Sequence, residues 1–392
     1  MKQLYFFAFL CVFITNAQKI DISDVNFEQA LINRGIDQGT IDGSIDVANA
    51  SSVTHLNISN SNISNLQGIE AFTNLVSLDA SQNNIRNADF SSNTSLQQVV
   101  LHNNLLETIN VATNVNLKEL NLYKNKLTHI QLNGNTALTY LAVADNYLGS
   151  LDLSSNKSLE KLFCQNNQLT SLDVSNMPAL KLVNAEMNNL ATLNVGNSRG
   201  VVQIVAANNY LSSLDVSTNV NLETINVLFN HIRSLDLSFN TKLTNAFLAN
   251  NQLASLNIRN GNNQNLNTLR TENNPNLSCI TADDTIVDNG TSSSRWSQDV
   301  DVSFSINCDA IADKGNNTNK SFNVYVDRSR ILNINSTKKG VASVYNLQGI
   351  PLVTKTIEEG TQTINMNKFS NSVYVLHIAS EEGKFSQKFV LH

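Results

Sequence analysis

Residues 76–243 divide without a gap into eight consecutive blocks of 21 residues, each close to the pattern LxxLxxxNxLxxLxLSxNxxL. A period held over this length is typical of a repeat architecture, in which each repeat contacts only its neighbours. Apolar residues recur at fixed positions of the block, and a single coil cannot bury such a face alone. The repeat therefore predicts a stacked solenoid.

Asparagine fills two positions of the repeat, and 47 of the 63 asparagines lie between residues 53 and 277. A chain that turns inward exposes backbone groups whose loss of a partner costs about 1–3 kcal/mol each. An Asn side chain supplies both donors and an acceptor, so we predict structural ladders. The first ladder is Asn83, Asn104, Asn125, Asn146, Asn167, Asn188, Asn209, Asn230 and Asn251. The second is Asn93, Asn114, Asn135, Asn156, Asn219 and Asn240, interrupted at Met177 and Ser198.

Composition excludes several classes of protein. Only 15% of the residues are charged, there are 3 prolines, and the formal net charge is -6. Disorder requires more net charge and proline, and a coiled coil requires more Ala, Glu, Lys and Leu. No basic region is present, so we expect no nucleic-acid partner.

The blocks resemble leucine-rich repeats of the short bacterial kind over about residues 53–280. Residues 25–46 (VNFEQALINRGIDQGTIDGSID) resemble the N-terminal cap of such proteins from the Bacteroidetes, with a helix that Asn26 and Gln29 start and Gly35 ends. NNPNLSCITADD, Trp296 and SFSINC resemble the C-terminal cap. The resemblance implies a mainly β fold with an N-terminal cap at 18–52, a solenoid at 53–277 and a C-terminal cap at 278–308.

The N-terminus and the cysteines indicate export. Residues 1–17 have a short positive start, an apolar run and small residues at the end, which predicts a secretory signal peptide. A membrane anchor is the alternative, but the apolar run is about half of the ~20 residues that a spanning helix needs. In an oxidising compartment we expect a disulfide between Cys279 and Cys308, whereas Cys164 lies in a buried apolar column and reads as a core residue.

The C-terminal region has a separate identity. Residues 309–320 are polar and aperiodic, which predicts a linker, and beyond them short apolar stretches at 322–326, 331–334, 341–347, 373–378 and 385–391 predict a small β-sandwich. VASVYNLQG at 341–349, TQTINMNKFSNSVYVLHI at 361–378 and the terminal GKFSQKFVLH resemble the C-terminal sorting domain of the type IX secretion system. The resemblance implies that residues 321–392 interact with the secretion machinery, and that the protein is secreted or attached to the outer cell surface.

A candidate binding face lies on the first strand of each coil, where residues between the inward leucines face outward. A contiguous stripe of exposed aromatic and aliphatic side chains there favours a partner site. Strand propensity alone is the alternative explanation. The predicted face comprises Val100, His102, Tyr123, Tyr140, Phe163, Val205, Leu228 and Phe247.

A second outward column carries repeated carboxylates, which would repel one another when stacked at about 4.8 Å. Either calcium bridges them, or the serine two residues after each aspartate and nearby backbone N–H groups satisfy them, and we favour the latter. The column is Asp89, Asn110, Gln131, Asp152, Asp173, Asn194, Asp215, Asp236 and Asn257.

Enzymatic motifs are poor. The six histidines fall at unrelated phases of the repeat, and no phosphate-binding glycine loop is present, so we expect no catalytic site, metal or cofactor. Asp284-Thr285-Ile286 resembles the O-glycosylation acceptor of Bacteroidetes.

The first functional hypothesis is therefore a monomeric recognition protein for an extracellular protein or glycan. The alternatives are a structural or adhesive surface protein without a discrete ligand, and an accessory subunit of a secreted enzyme.

Overall fold

The computed structural model describes residues 18–289, 296–308, 322–327, 329–346, 350–370, 372–380 and 383–391. The predicted signal peptide and the predicted linker lie outside these ranges. The contacts of the chain define two compact units. The first holds the described residues through Ala254 together with 260–276 and 296–299, and the second holds 255–259, 277–289 and the described residues from 300 onward.

A parallel sheet of twelve short strands forms the backbone of the first unit, which confirms the predicted mainly β solenoid. Neighbouring strands pair with an offset of 21 residues in most coils, so equivalent positions of successive repeats lie side by side. The strands are His55–Asn57, Ser77–Asp79, Gln98–Val100, Glu119–Asn121, Tyr140–Ala142, Lys161–Phe163, Leu182–Asn184, Gln203–Val205, Thr224–Asn226, Asn245–Phe247, Thr268–Arg270 and Trp296–Ser297.

The second side of the coils carries shorter ladders. Asn87–Asp89 pairs with Thr108–Asn110, and Ser171–Asp173 pairs with Thr192–Asn194. Ser234–Asp236 is a further strand, and Asn263–Asn265 is a 3-10 helix. In the second unit, Ser255–Asn257, Cys279–Thr281 and Ser303–Ser305 form a parallel ladder, and Asp284–Asn289 is helical.

The N-terminal region closes one end of the solenoid. Strands Lys19–Asp21 and Ser44–Asp46 pair antiparallel, helices span Val25–Ile32 and Val47–Ser51, and Ile69–Ala71 is a 3-10 helix. The expected helix face of Phe27, Ala30 and Leu31 is buried.

The first helix is capped two residues earlier than the sequence predicts. Asp24, not Asn26, caps it, because the Asp24 carboxylate accepts hydrogen bonds from the backbone N–H groups of Asn26 and Phe27. The other carboxylate oxygen accepts from the Ser64 hydroxyl and from the N–H groups of Ser64 and Asn65. Burial opposes ionisation, but these hydrogen bonds outweigh it and lower the pKa of Asp24. One carboxylate thus joins the cap to the first coil.

The first asparagine ladder bonds to backbone groups of its own coil and of the coil before it. Asn209 is representative: its Oδ1 accepts from the Leu190 N–H at 2.9 Å, and its Nδ2 donates to the carbonyls of Ala185 and Ala206 at 3.0 and 3.2 Å. The side chain is 5% exposed, so no bulk water competes for these groups. The same contacts recur from Asn104 to Asn251.

The second ladder is simpler and tolerates a substitute. Asn114 Nδ2 donates to the carbonyls of Phe90 and Asn93 at 3.1 and 2.7 Å. Where the ladder is interrupted, the Ser198 hydroxyl donates to the Val174 carbonyl at 2.6 Å and accepts from the Met177 N–H at 3.0 Å. The serine hydroxyl therefore bonds one carbonyl and one N–H, where the asparagine bonds two carbonyls.

The C-terminal region forms two antiparallel sheets around one apolar core, as predicted. The sequence missed two of its strands, Pro351–Ile357 and Gly360–Asn365, because polar residues interrupt their short apolar stretches. The three-stranded sheet contains Phe322–Val326, Ile331–Ser336 and Gly360–Asn365. The four-stranded sheet contains Gly340–Tyr345, Pro351–Ile357, Ser372–Ser380 and Gly383–Leu391. The core between the two sheets includes Leu332, Ile334, Val344, Leu376 and Ile378, all fully buried.

Replacing a ladder asparagine should cost far more than replacing an exposed one. Asn209→Ala leaves the buried Leu190 N–H and at least one carbonyl without a partner, so we expect the free energy of unfolding to fall by about 2–4 kcal/mol. Asn189 is exposed and its side chain makes no hydrogen bond within the described residues, so Asn189→Ala should change it by less than about 0.5 kcal/mol. Denaturant unfolding measures both, and equal losses would contradict the ladder's structural role.

Candidate functional site

The outward side of the twelve-stranded sheet, here called the strand face, carries every residue of the predicted binding face. In each of the eleven three-residue strands the central side chain is buried and its neighbours face outward, as with Leu162 between Lys161 and Phe163. Tyr123 is 37% exposed, and the other seven predicted residues are half-buried. The predicted residues are therefore placed where a partner can reach them.

A depression of about 340 Å³ opens on this face. Four of the eight predicted residues line it, and the other four, Val100, Val205, Leu228 and Phe247, lie elsewhere on the strand face. The depression, here called the aromatic depression, is lined by His102, Asn103, Asn121, Tyr123, Tyr140, Ala142, Ala144, Phe163 and Gln165.

Two alanines on one coil create the depression. Ala142 lies in register between Asn121 and Phe163 on the neighbouring strands, so a methyl group stands between two larger side chains. Ala144, two residues further on, is 1% exposed. The surface at these two alanines is therefore recessed relative to the larger side chains on the neighbouring strands.

The apolar wall consists of two aromatic rings. The ring centroids of Tyr140 and Phe163 lie 5.6 Å apart and the planes are tilted by 46°. Tyr140 lies in register between Glu119 and Lys161. Burial, and then the Glu119 carboxylate, raise the pKa of the Tyr140 hydroxyl, so it stays protonated at neutral pH. This hydroxyl makes no hydrogen bond to any described residue.

Polar groups complete the rim. The Asn121 Oδ1 accepts from the Tyr123 N–H at 3.2 Å, and Asn103 Nδ2 donates to the ring nitrogen of His102 at 2.9 Å. A hydrogen bond to Asp145 raises the pKa of the Tyr123 hydroxyl. None of the nine lining residues is Asp, Glu, Lys or Arg. The site can therefore offer apolar contact and neutral hydrogen bonding, but no ion pair from its lining.

Sequence reasoning missed five of the lining residues: Asn103, Asn121, Ala142, Ala144 and Gln165. A pattern of large outward residues cannot reveal a depression, because a depression depends on small residues between large ones. The sequence feature that could have predicted the depression is the segment LAVAD at 141–145, in which alanine fills both outward positions of one block.

A second apolar group lies further along the strand face. Val205 and Phe247 occupy one column, separated in register by Asn226, and Leu228 follows that middle strand. Phe229, 52% exposed, has a φ of 54°, and Met187, 55% exposed, has the same φ. This left-handed conformation is unfavourable for bulky side chains, and most equivalent positions hold Asn, Asp or Gln.

The aspartate column has local partners. The backbone N–H of Ser154 donates to Asp152 at 2.9 Å, and the pairs at 173–175, 215–217 and 236–238 repeat this contact. The N–H and then the hydroxyl of the following serine lower the pKa values of Asp152 and Asp173. Asp173 lies in register with Asn194, whose side-chain amide donates to it at 3.3 Å, so a neutral group stands beside this carboxylate. The serine alternative therefore describes the column.

Of the described cysteines, two are joined to each other and the third is buried. Cys279 and Cys308 form a disulfide, while burial raises the pKa of the Cys164 thiol to about 12. Asp284, in the glycosylation-like tripeptide, pairs with Arg259 at 2.9 Å. Within the described ranges, no group of three or more His, Cys, Asp or Glu side chains is placed to hold a metal ion. No helix in those ranges is long and apolar enough to cross a bilayer.

Comparison with known proteins identifies the C-terminal region. Residues 328–392 match the family described as "Secretion system C-terminal sorting domain". The predicted sorting domain is confirmed. It directs export through the type IX secretion system to the cell surface or the extracellular space. No curated protein matches the chain.

Solved structures similar to the chain are leucine-rich repeat proteins. The functional domain of InlJ from Listeria monocytogenes is 19% identical, with 95% of this chain and 98% of that one covered and a TM-score of 0.38. The leucine-rich repeat domain of APL1B is 17% identical over 66% of this chain and 77% of its own, with a TM-score of 0.49. YopM from Yersinia pestis is 22% identical over 54% of this chain and 62% of its own, with a TM-score of 0.41.

The backbone conformation at Phe229 yields a stability prediction. Phe229→Asn places a residue that tolerates the left-handed conformation, so we expect the free energy of unfolding to rise by up to about 1 kcal/mol. Phe239 is 55% exposed without a positive φ, so Phe239→Asn should bring no such gain. Denaturant unfolding of both variants checks this, and an equal response at the two positions would show that the backbone conformation is not the cause.

Proposed function

We propose that this exported leucine-rich repeat protein is a non-catalytic recognition module, whose strand face binds an extracellular protein or glycan. The observation that carries the proposal is the aromatic depression, where Tyr140 and Phe163 stand beside Ala142 on a face that the solenoid leaves open. Aromatic side chains with adjacent polar groups are enriched at binding sites.

The strained residues support the same proposal. Met187 and Phe229 present bulky side chains to solvent in a conformation for which stability alone favours asparagine. Strained backbone of this kind clusters at functional sites. Phe229 directly follows Leu228 of the second apolar group, so the proposed binding surface extends beyond the aromatic depression.

Substitutions on the strand face should weaken ligand binding. The full chain is tested against a panel of extracellular proteins and glycans, and the affinity for each ligand found is measured again with Phe163→Ser and with Phe247→Ser. Loss of a central aromatic anchor costs more than about 1.4 kcal/mol, so we expect at least one variant to bind about tenfold more weakly.

Phe239→Ser is the matched control. Phe239 is exposed and follows the strand Ser234–Asp236, which lies outside the twelve-stranded sheet, so its loss should leave affinity unchanged. Unchanged affinity in both strand-face variants would refute the assigned face. Absence of any ligand would favour a structural or adhesive protein.

Removal of the sorting domain should block delivery. A chain that lacks residues 320–392 retains the solenoid but loses the segment that matches the sorting family, so we expect it to accumulate in the periplasm. Fractionation and surface labelling of cells measure the distribution. The full chain with Phe163→Ser serves as the control and should be delivered normally, while surface delivery of the truncated chain would contradict the assigned role.

A further inference from the structure

We propose that the aromatic depression binds a neutral carbohydrate, with a sugar ring against Phe163 and Tyr140 and sugar hydroxyls bonded to the polar rim. This inference rests on the proposed recognition function and names the ligand class for one part of its surface. Three properties of the site support it: its charge, its combination of rings with unpaired polar groups, and its place within the sheet.

The charge of the lining selects a neutral ligand. His102 supplies the one imidazole of the lining, and the remaining polar lining groups are amides and phenols. Glu119 and Lys161 flank Tyr140 in register with opposite charges, so they favour neither an anion nor a cation. Asp145 at the rim already accepts from Tyr123 and from Asn166. A charged ligand would lose its hydration there without gaining an ion pair.

The chemistry of the wall and rim fits a sugar ring. A pyranose presents C–H groups on its faces and hydroxyls around its edge, and aromatic rings suit such faces. The Tyr140 hydroxyl and the Asn121 side-chain NH₂ have no partner among the described residues, so both can bond a ligand without breaking an internal hydrogen bond. Hydroxyls donate and accept, as do phenols, and amides supply both functions.

The position within the sheet disfavours an extended peptide. Peptides commonly bind a sheet by pairing with an unpaired strand edge. The depression lies between Glu119–Asn121, Tyr140–Ala142 and Lys161–Phe163, which pair with one another in the interior of the twelve-stranded sheet. No backbone edge is available at this point, so recognition depends on side chains alone. That requirement suits a compact ligand that carries its own hydroxyls.

Isothermal titration calorimetry of the full chain tests the proposal. The probes are neutral gluco-, manno-, galacto-, xylo- and N-acetylglucosamine oligosaccharides, with oligogalacturonate as a charged comparison. We expect at least one neutral probe to bind. Phe163→Ala, which removes a ring, and Ala142→Phe, which fills the depression, should each weaken it at least tenfold. Phenylalanine already occupies the Ala142 column at Phe163 and Phe247, so the coil accommodates it.

Tyr140→Phe separates binding from folding. The hydroxyl has no partner among the described residues, so its removal should leave the unfolding midpoint unchanged while weakening the sugar about three- to tenfold. Phe239→Ala is the matched control and should bind like the unsubstituted chain.

The outcomes distinguish this inference from the proposed function. Failure of every neutral probe at millimolar concentration, preference for oligogalacturonate, or affinity that survives Ala142→Phe overturns carbohydrate binding at the depression. If no sugar binds but a protein ligand is weakened by Phe163→Ser, the ligand class is wrong and the recognition function stands. If neither sugars nor proteins bind, both the carbohydrate inference and the proposed recognition function are wrong.

Discussion

The hydrogen bonds between ladder asparagines and the backbone hold the solenoid together. Its strands are mostly three residues long, which is too short to pair most of the backbone. Between the strands the chain turns repeatedly through a buried interior, where backbone groups need partners within the protein. Asn209 and its equivalents bond to their own coil and to the coil before, so each turn is complete only when the next coil is stacked on it. Both the strict period and the need for end caps follow from this dependence.

The sequence predicts the solenoid well because repetition shows the same side chain in the same environment many times. Contacts that occur only once in the chain are harder to predict from the sequence. Asp24 caps the first helix instead of Asn26, since the partners that select it, Ser64 and Asn65, are far away in sequence. In the C-terminal sheets, Pro351–Ile357 and Gly360–Asn365 are strands although polar residues interrupt their apolar stretches, because tertiary pairing with their neighbours overrides a weak alternating pattern.

The proposed binding surface is predictable in part for a related reason. Outward aromatic residues such as Tyr140 and Phe163 are visible in the repeat alignment, but the depression beside them comes from what Ala142 and Ala144 lack. Its polar character also depends on pairing that a sequence does not reveal: the Tyr140 hydroxyl has no partner among the described residues, whereas the Tyr123 hydroxyl bonds to Asp145. Two tyrosines on the same face therefore differ in what they offer a ligand.

The shared register of the coils limits how the strand face can vary in length. Gain or loss of one whole 21-residue coil between Phe163 and Phe247 would preserve every inter-coil pairing, whereas gain or loss of a few residues would shift the asparagines off their carbonyls. The separation between the aromatic depression and the second apolar group can therefore change only in steps of about 4.8 Å, the spacing of paired strands. A ligand that contacts both sites must therefore match one of a discrete set of separations.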